Sequence, residues 1–198
     1  MMYLLVVVLC VSGGYVSAQA PAFCKGTECP QFNTLSSTQN YAVRQYGPLT
    51  WATTSFVGQW KSNILGQLFG RLFNYIQGNN TLGQVMPMTV PVLTRIESAG
   101  PSATKYTMHF MIPAGNSLNI PGPVDPSVSL RTIPPATYYV RSFGGYANGQ
   151  KFMTELQTLV NNINNPQSYD DNYFMTATYD SPSVKTNRHN EVWLQKIA

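Results

Sequence analysis

The chain offers few groups for chemistry: two histidines, three cysteines and eight carboxylates among 198 residues. His109 and His189 stand 80 positions apart (189 − 109). Neither has the partner motif that metal binding or a nucleophilic triad demands. Ser142 sits in Arg-Ser-Phe-Gly-Gly, which lacks the nucleophile-elbow form. Asp170-Asp171 reads as a solvated turn pair before a strand, not as a general acid–base couple. A glycine-rich phosphate loop is absent. Met86 and Met88 flank Pro87 in an apolar strand and read as core fillers. His109 reads as a surface or sheet-face residue, and His189, in Asn187-Arg-His-Asn190, as an exposed turn residue. The pattern points to a binder and away from an enzyme.

The cysteines carry more. Tyr3–Val11 is an apolar run too short to span a bilayer, and Ala18-Gln19-Ala20 has the small-x-small form of a cleavage site. Residues 1–20 are expected to be a secretory signal, with cleavage after Ala18 or Ala20. Its removal takes Cys10 and leaves Cys24 and Cys29. An even count in a secreted chain implies a Cys24–Cys29 disulfide; the rival, a metal pair, finds no further Cys or His nearby. Asn79-Asn80-Thr81 is the one N-glycosylation sequon, so Asn79 is a candidate acceptor on an extracellular protein.

These groups need a scaffold. Twelve Lys/Arg against eight Asp/Glu leave a formal charge of +4, spread too evenly for a nucleic-acid footprint. No internal membrane span is expected. A single offset of 87 relates Ser55-Phe-Val-Gly58 to Ser142-Phe-Gly-Gly145 (142 − 55). It also relates Met88-Thr89 to Met175-Thr176, Pro48 to Pro135, Trp51 to Tyr138, and Leu72 to Leu159. The chain therefore holds two copies of one supersecondary unit. In the first copy an alternating strand runs from Tyr41 past Pro48 to Phe56. A helix follows over about Gln59–Ile76, then strands over Gln84–Glu97 and Lys105–Ile112. The second copy has strands at Ser127–Ile133 and Thr137–Phe143, a helix at about Gln150–Asn164, and strands at Tyr173–Tyr179 and Glu191–Ile197. This is an α+β pattern: βαββ twice over with an extra strand, closing as an antiparallel sheet or distorted barrel with two packed helices. Residues 21–40 read as an N-terminal extension and 41–198 as a single domain.

The helices differ. Phe152, Leu156, Leu159, Val160 and Ile163 of the second form a stripe about 100° wide, as expected for one face on a sheet. In the first, Trp60, Ile64, Leu65, Leu68, Phe69, Leu72, Phe73, Tyr75 and Ile76 spread over about 220°. One sheet cannot cover so wide a face. The excess side, centred on Leu65, Phe69 and Phe73, must meet something else: a loop or the N-terminal extension, a partner, or a flat apolar ligand.

Several stretches carry a family resemblance. They are Tyr41-Ala-Val-Arg-Gln-Tyr-Gly-Pro48 with Trp51, Tyr75-Ile-Gln-Gly-Asn79 and Met88-Thr-Val-Pro-Val92. Ile120-Pro-Gly-Pro-Val-Asp-Pro126, Val140-Arg-Ser-Phe-Gly-Gly145 and Asn190-Glu-Val-Trp-Leu194 continue the series. In this order, from about Cys29 to Lys196, the sequence resembles the SOUL family of haem-binding proteins, most closely its secreted animal members. The resemblance implies two βαββ repeats and non-covalent binding of haem or related porphyrins, without catalysis as the common property. Some members carry a histidine, proposed as an axial ligand, where this chain has Gln45, a poor iron ligand. Others hold haem on an apolar face of the first helix with basic groups near the propionates. Carried over, that site is Leu65, Phe69, Leu72 and Phe73, with Lys185 and, second, Arg71 as propionate partners and the axial ligand open. The resemblance leaves a second class standing: a secreted protein-interaction module that kept the fold and exchanged porphyrin for another apolar partner.

Overall fold

The computed structural model describes residues 20–59 and 61–197. The expected secretory segment, apart from Ala20, lies outside the described residues, as does Trp60. The described chain forms nine strands and two α-helices. The strands are β1 (Phe32–Ser37), β2 (Ala42–Tyr46), β3 (Leu49–Gly58), β4 (Val92–Ser98), β5 (Thr104–Met111), β6 (Val128–Ile133), β7 (Ala136–Gly144), β8 (Tyr173–Thr178) and β9 (His189–Gln195). The helices are α1 (Ile64–Ile76) and α2 (Gly149–Ile163). All strand pairs are antiparallel, in the order β1-β2-β7-β9-β8-β4-β5-β3-β6. The α+β architecture expected from the sequence is the one observed.

The duplication is visible in that order. Leaving out β1, it is symmetric about the β8–β4 pair: β9 answers β5, β7 answers β3 and β2 answers β6. The exchange at the ends is the informative part. β2 belongs to the first repeat but pairs with β7 of the second, and β6 of the second pairs with β3 of the first. The repeats are therefore interlocked through their leading strands and cannot form two independent domains. The expected continuous strand Tyr41–Phe56 is broken for this reason. Gly47-Pro48 carries the chain from one side of the sheet to the other, and Pro134-Pro135 does the same between β6 and β7. Proline offers no N–H to a ladder, so a strand ends there. Each βαββ unit is thus preceded by one short strand.

Two further boundaries shift for local reasons. The strand expected from Gln84 begins at Val92, after Pro87 and Pro91. The helix expected from Gln59 begins at Ile64, after a turn in which Ile64 N–H donates to Lys61 O. Gly78, at φ +106°, leads the chain out of α1 in a conformation that glycine adopts without strain. Residues 21–40 form part of the fold: β1 pairs along β2, and the Cys24–Cys29 disulfide is buried against the sheet.

Successive strand residues face opposite sides of the sheet. On one side Ala52, Tyr106, Met108, Phe110 and Val128 receive Ile64, Leu68, Leu72 and Ile76 of α1. On the same side Val43, Tyr139, Val192 and Leu194 receive Leu159 of α2. The other side carries Tyr46, Trp51, Leu93, Tyr138, Met175 and Trp193 together with both cysteines. Residues from distant strands, Arg131 of β6 and Tyr138 of β7 among them, line a common cavity there. The sheet is therefore curled into a half-barrel with helices outside and a concave inner face.

Candidate functional site

The first candidate surface is α1. It runs back along β3, and Phe69 reaches Phe110 of β5 edge-on at 5.2 Å between centroids. Phe69 and Phe73 stack on each other at 5.6 Å. Leu65, Phe69 and Phe73 remain 37%, 37% and 40% exposed. Among the described residues, neither the proline-rich loop nor residues 21–40 cover them. The over-wide face read from the sequence is thus an exposed apolar flank. Leu72, counted with that flank, is a correction: it is fully buried at 0% exposure and belongs to the contact between helix and sheet.

The two basic candidates do not frame this flank from one side. Arg71 donates to Thr54 Oγ1 at 3.3 Å across β3. At about 100° per residue it projects from the side of α1 away from Phe69 and Phe73. Lys185 is exposed in the β8–β9 connection. That connection is anchored by Lys25 on Asp180 and by Arg188, which lies over the Tyr146 ring at 4.4 Å. The strand registers put it at the end of the sheet toward which α1 runs. Gln45 is exposed on β2, on the α2 half of the sheet. Asn79 is exposed directly after α1. Its neighbour Asn80 is buried, donating to Tyr75 O and Gln84 O. Lys61, four residues before Leu65, is an exposed cation at the flank's N-terminal end that the sequence reading did not single out.

The second candidate region is the concave face, whose importance sequence reasoning missed. Near the disulfide, the fully buried Glu191 accepts from Arg44 Nη1 (2.9 Å), Ser142 Oγ (3.2 Å), Tyr179 Oη (2.9 Å) and Trp193 Nε1 (2.8 Å). His189 Nε2 lies 2.8 Å from Glu191 Oε1. Burial alone would raise the Glu191 pKa, but the bond from His189 and the charge of Arg44 overcome it and hold it at about 2. His189 is therefore a packed residue, stacked on Phe23 at 4.2 Å, and the expectation of an exposed turn residue is corrected. Single-residue patterning cannot reveal such a cluster, because its partners come from strands far apart in sequence.

At the other end the inner face opens into a cavity of about 860 Å³. Arg95, Lys105, His109, Arg131, Tyr138 and Tyr173 contribute to its walls. Glu97 holds Arg95 (2.7 Å) and Lys105 (2.7 Å). His109 is only 6% exposed, and neither ring nitrogen has a hydrogen-bond partner. It is a sheet-face residue, as one of the sequence alternatives held, and not a surface one. Burial first, then the charges of Arg95 and Arg131, lower its pKa to about 4, so the ring is neutral at pH 7. Among the described residues no group of three or more His, Cys, Asp or Glu side chains is placed to hold a metal ion, and no helix is long and apolar enough to cross a membrane.

Comparison with known proteins gives this geometry its setting. The C-terminal domain of EcmrR superposes with a TM-score of 0.57 at 10% identity, covering 79% of this chain and 96% of that domain. SAV2435, solved bound to tetraphenylphosphonium, superposes at 0.53 with 13% identity, covering 81% and 95%. These likenesses are of fold. Sequence reaches further. Heme-binding protein 2 of Homo sapiens is 34% identical over 158 residues, 78% of this chain and 77% of that protein. Heme-binding protein 1 of Bos taurus is 27% identical over 148 residues, covering 74% and 78%. The model of the SOUL heme-binding proteins matches residues 27–195, from the disulfide segment to the end of β9. The interlocked repeats, the two outer helices and this match together place the chain in the SOUL heme-binding protein family.

Proposed function

We propose that the protein binds haem or a related tetrapyrrole non-covalently, against the apolar flank of α1, as an extracellular carrier, buffer or scavenger. The observation that carries the reading is the exposure of Leu65, Phe69 and Phe73 side by side on one helix of a SOUL-family chain. Three exposed large apolar residues on one flank mark a surface that gains by being covered. Covering roughly 400 Å² at about 25 cal/mol/Å² yields on the order of 10 kcal/mol gross. Lost rigid-body freedom and desolvation offset much of it, leaving affinity in the micromolar range. Leu65, Phe69 and Phe73 would hold the macrocycle, while Lys61 and Lys185 are exposed cations available to its propionates. When bound, haem would supply its iron. No histidine, cysteine or methionine lies on α1, and its one tyrosine, Tyr75, is buried and donates to Pro121 O. The reading therefore rests on apolar contact and extends to metal-free porphyrins.

Secretion belongs to the same proposal. It is supported by the apolar N-terminal run with its small-x-small site and by the paired Cys24 and Cys29, since such bridges persist in oxidising compartments. Expression with the native N-terminus in animal cells should deliver the protein to the medium, beginning at Gln19 or Pro21. Removal of N-linked glycan should change its mass if Asn79 is occupied. For the ligand, hemin titrated into the purified protein should give a saturable Soret shift at micromolar concentration. Phe69→Asp should weaken it at least tenfold. An unchanged spectrum with folded protein would overturn the reading and favour an apolar protein partner on the same flank.

A further inference from the structure

The two ends of the concave face are built from the same repeat, yet one is filled by the protein's own side chains and the other is a cavity. The offset of 87 makes Arg131 of β6 the counterpart of Arg44 of β2 (131 − 44) and Ser142 of β7 the counterpart of Ser55 of β3 (142 − 55). The registers then pair the rest. Ser142 stands opposite Glu191, and Ser55 opposite Thr107. Val140 stands opposite Trp193, and Thr53 opposite His109. Thr107 thus takes the place of Glu191, and His109 that of Trp193.

At the filled end a carboxylate and an aromatic ring neutralise and cover the arginine. Glu191 meets Arg44 at 2.9 Å, and Phe23, from the disulfide turn, lies with its ring centre 5.5 Å from the guanidinium. At the open end neither is supplied. Position 107 carries no acid, and no hydrogen bond or ion pair within the described residues engages Arg131. Glu97 is already taken by Arg95 and Lys105.

We propose that this cavity is a binding site for a small aromatic carboxylate, distinct from the flank of α1. The acid group of the ligand pairs with Arg131, as Glu191 pairs with Arg44. Its ring takes the place that Phe23 takes at the other end and lies against Tyr138, Tyr173 and Met175 on the opposite wall. His109 lines the site from β5, on the Arg131 side, with both ring nitrogens buried and unpartnered. A volume of about 860 Å³ suits a ligand of several rings. A guanidinium favours a carboxylate because its fork of N–H donors matches the two acid oxygens.

The test is a fluorescence titration of the purified protein with 1-pyrenebutyrate, using 1-pyrenebutanol as the uncharged counterpart. Saturable binding of the acid is expected, at least tenfold tighter than that of the alcohol. Arg131→Gln should weaken the acid at least tenfold. Thr107→Glu, which copies the acid of the filled end into the open one, should do the same. Phe69→Asp should leave it unchanged. Arg131 is exposed, so its variant keeps the fold even if Thr107→Glu does not. No saturable binding, equal affinity for acid and alcohol, or loss in Phe69→Asp with retention in Arg131→Gln would each overturn the proposal.

Discussion

The two halves of the sheet, the first built on β6, β3, β5, β4 and α1 and the second on β2, β7, β9, β8 and α2, share a topology and use it in opposite ways. In the second, both faces of the sheet are closed. On its outer side α2 buries Glu155 against Arg141 (2.7 Å) and Lys151 (2.7 Å), and on its inner side Glu191 takes up the charge of Arg44. In the first, both sides keep exposed groups. The outer helix exposes Leu65, Phe69 and Phe73, and the inner face leaves Arg131 without an acid. Duplication gives each half the same strands and helix. Divergence then closed one half with its own side chains and left exposed surfaces on the other. Closed and exposed surfaces are separated along the pseudo-symmetry of the fold, and substitutions at matched positions should reveal it.

The largest contrast is expected between the two arginine sites. Glu191→Gln would leave Arg44 buried beside a neutral amide, and breaking a buried pair in this way costs about 3–5 kcal/mol. Arg131→Gln, at the matched open position, should change stability by less than about 0.5 kcal/mol, as surface substitutions do. Urea unfolding at pH 7 measures both. Equal costs would show that Arg131 is structural and end the contrast.

A second contrast lies within α1. Leu72→Ala should cost about 2–5 kcal/mol, because the residue is sealed between helix and sheet. Phe69→Ala, three residues earlier, should cost about 1 kcal/mol, the value of its ring contacts with Phe73 and Phe110. Only the second should weaken hemin binding without unfolding the chain. This pair also marks what the sequence could tell. Apolar periodicity revealed that α1 carried more greasy surface than one sheet could cover, and the exposure of Leu65, Phe69 and Phe73 agrees. It could not separate Leu72 from them, since facing is settled by the crossing of helix over sheet. The repeat was legible through its landmarks, and with it the α+β architecture of an antiparallel sheet and two helices, though with seven strands where the fold has nine. The exchange of β2 and β6 was not, because strand order depends on pairings between distant segments. β1 was hidden for another reason: an exposed edge strand with only Phe32 and Leu35 apolar shows no alternation. Glu191 and Thr107 were invisible as matched positions until the registers were known.

The open cavity should also show in the acid limb of stability. His109 has a folded pKa of about 4 against an ordinary value near 6.5, so the unfolded chain binds the proton more readily. The stabilisation is fully present above pH 6.5 and is lost as pH falls from 6.5 through 4. A difference of this size corresponds to roughly 3 kcal/mol. Glu191 acts in a lower window: its contribution is present above pH 4.5 and is lost as pH falls through about 2. Urea midpoints between pH 7 and 4 should therefore decline in the wild type and decline less in His109→Phe. An equally steep decline in the variant would show that His109 takes up its proton as readily in the folded protein as in the unfolded chain.

The smallest contrast concerns how each helix begins. Asn148 caps α2, its side chain accepting from Lys151 N–H at 2.9 Å, and at the far end Asn164 turns the chain in the left-handed conformation. Asn63 precedes α1 without a side-chain cap bond. Asn148→Ala should cost about 1 kcal/mol, while Asn63→Ala should stay within about 0.5 kcal/mol. The asymmetry follows from what each helix buries. α1 carries Ile64, Leu68, Leu72, Tyr75 and Ile76 into the sheet, and tertiary packing of that kind fixes a helix without help from its ends. Within α2 the buried residues are Leu159 and the ion-paired Glu155, so local capping contributes a larger share. If Asn63→Ala proved as costly as Asn148→Ala, α1 would depend on its first turn. Covering its apolar flank with a ligand should then raise the melting temperature by ordering that turn, a shift that packing alone does not produce.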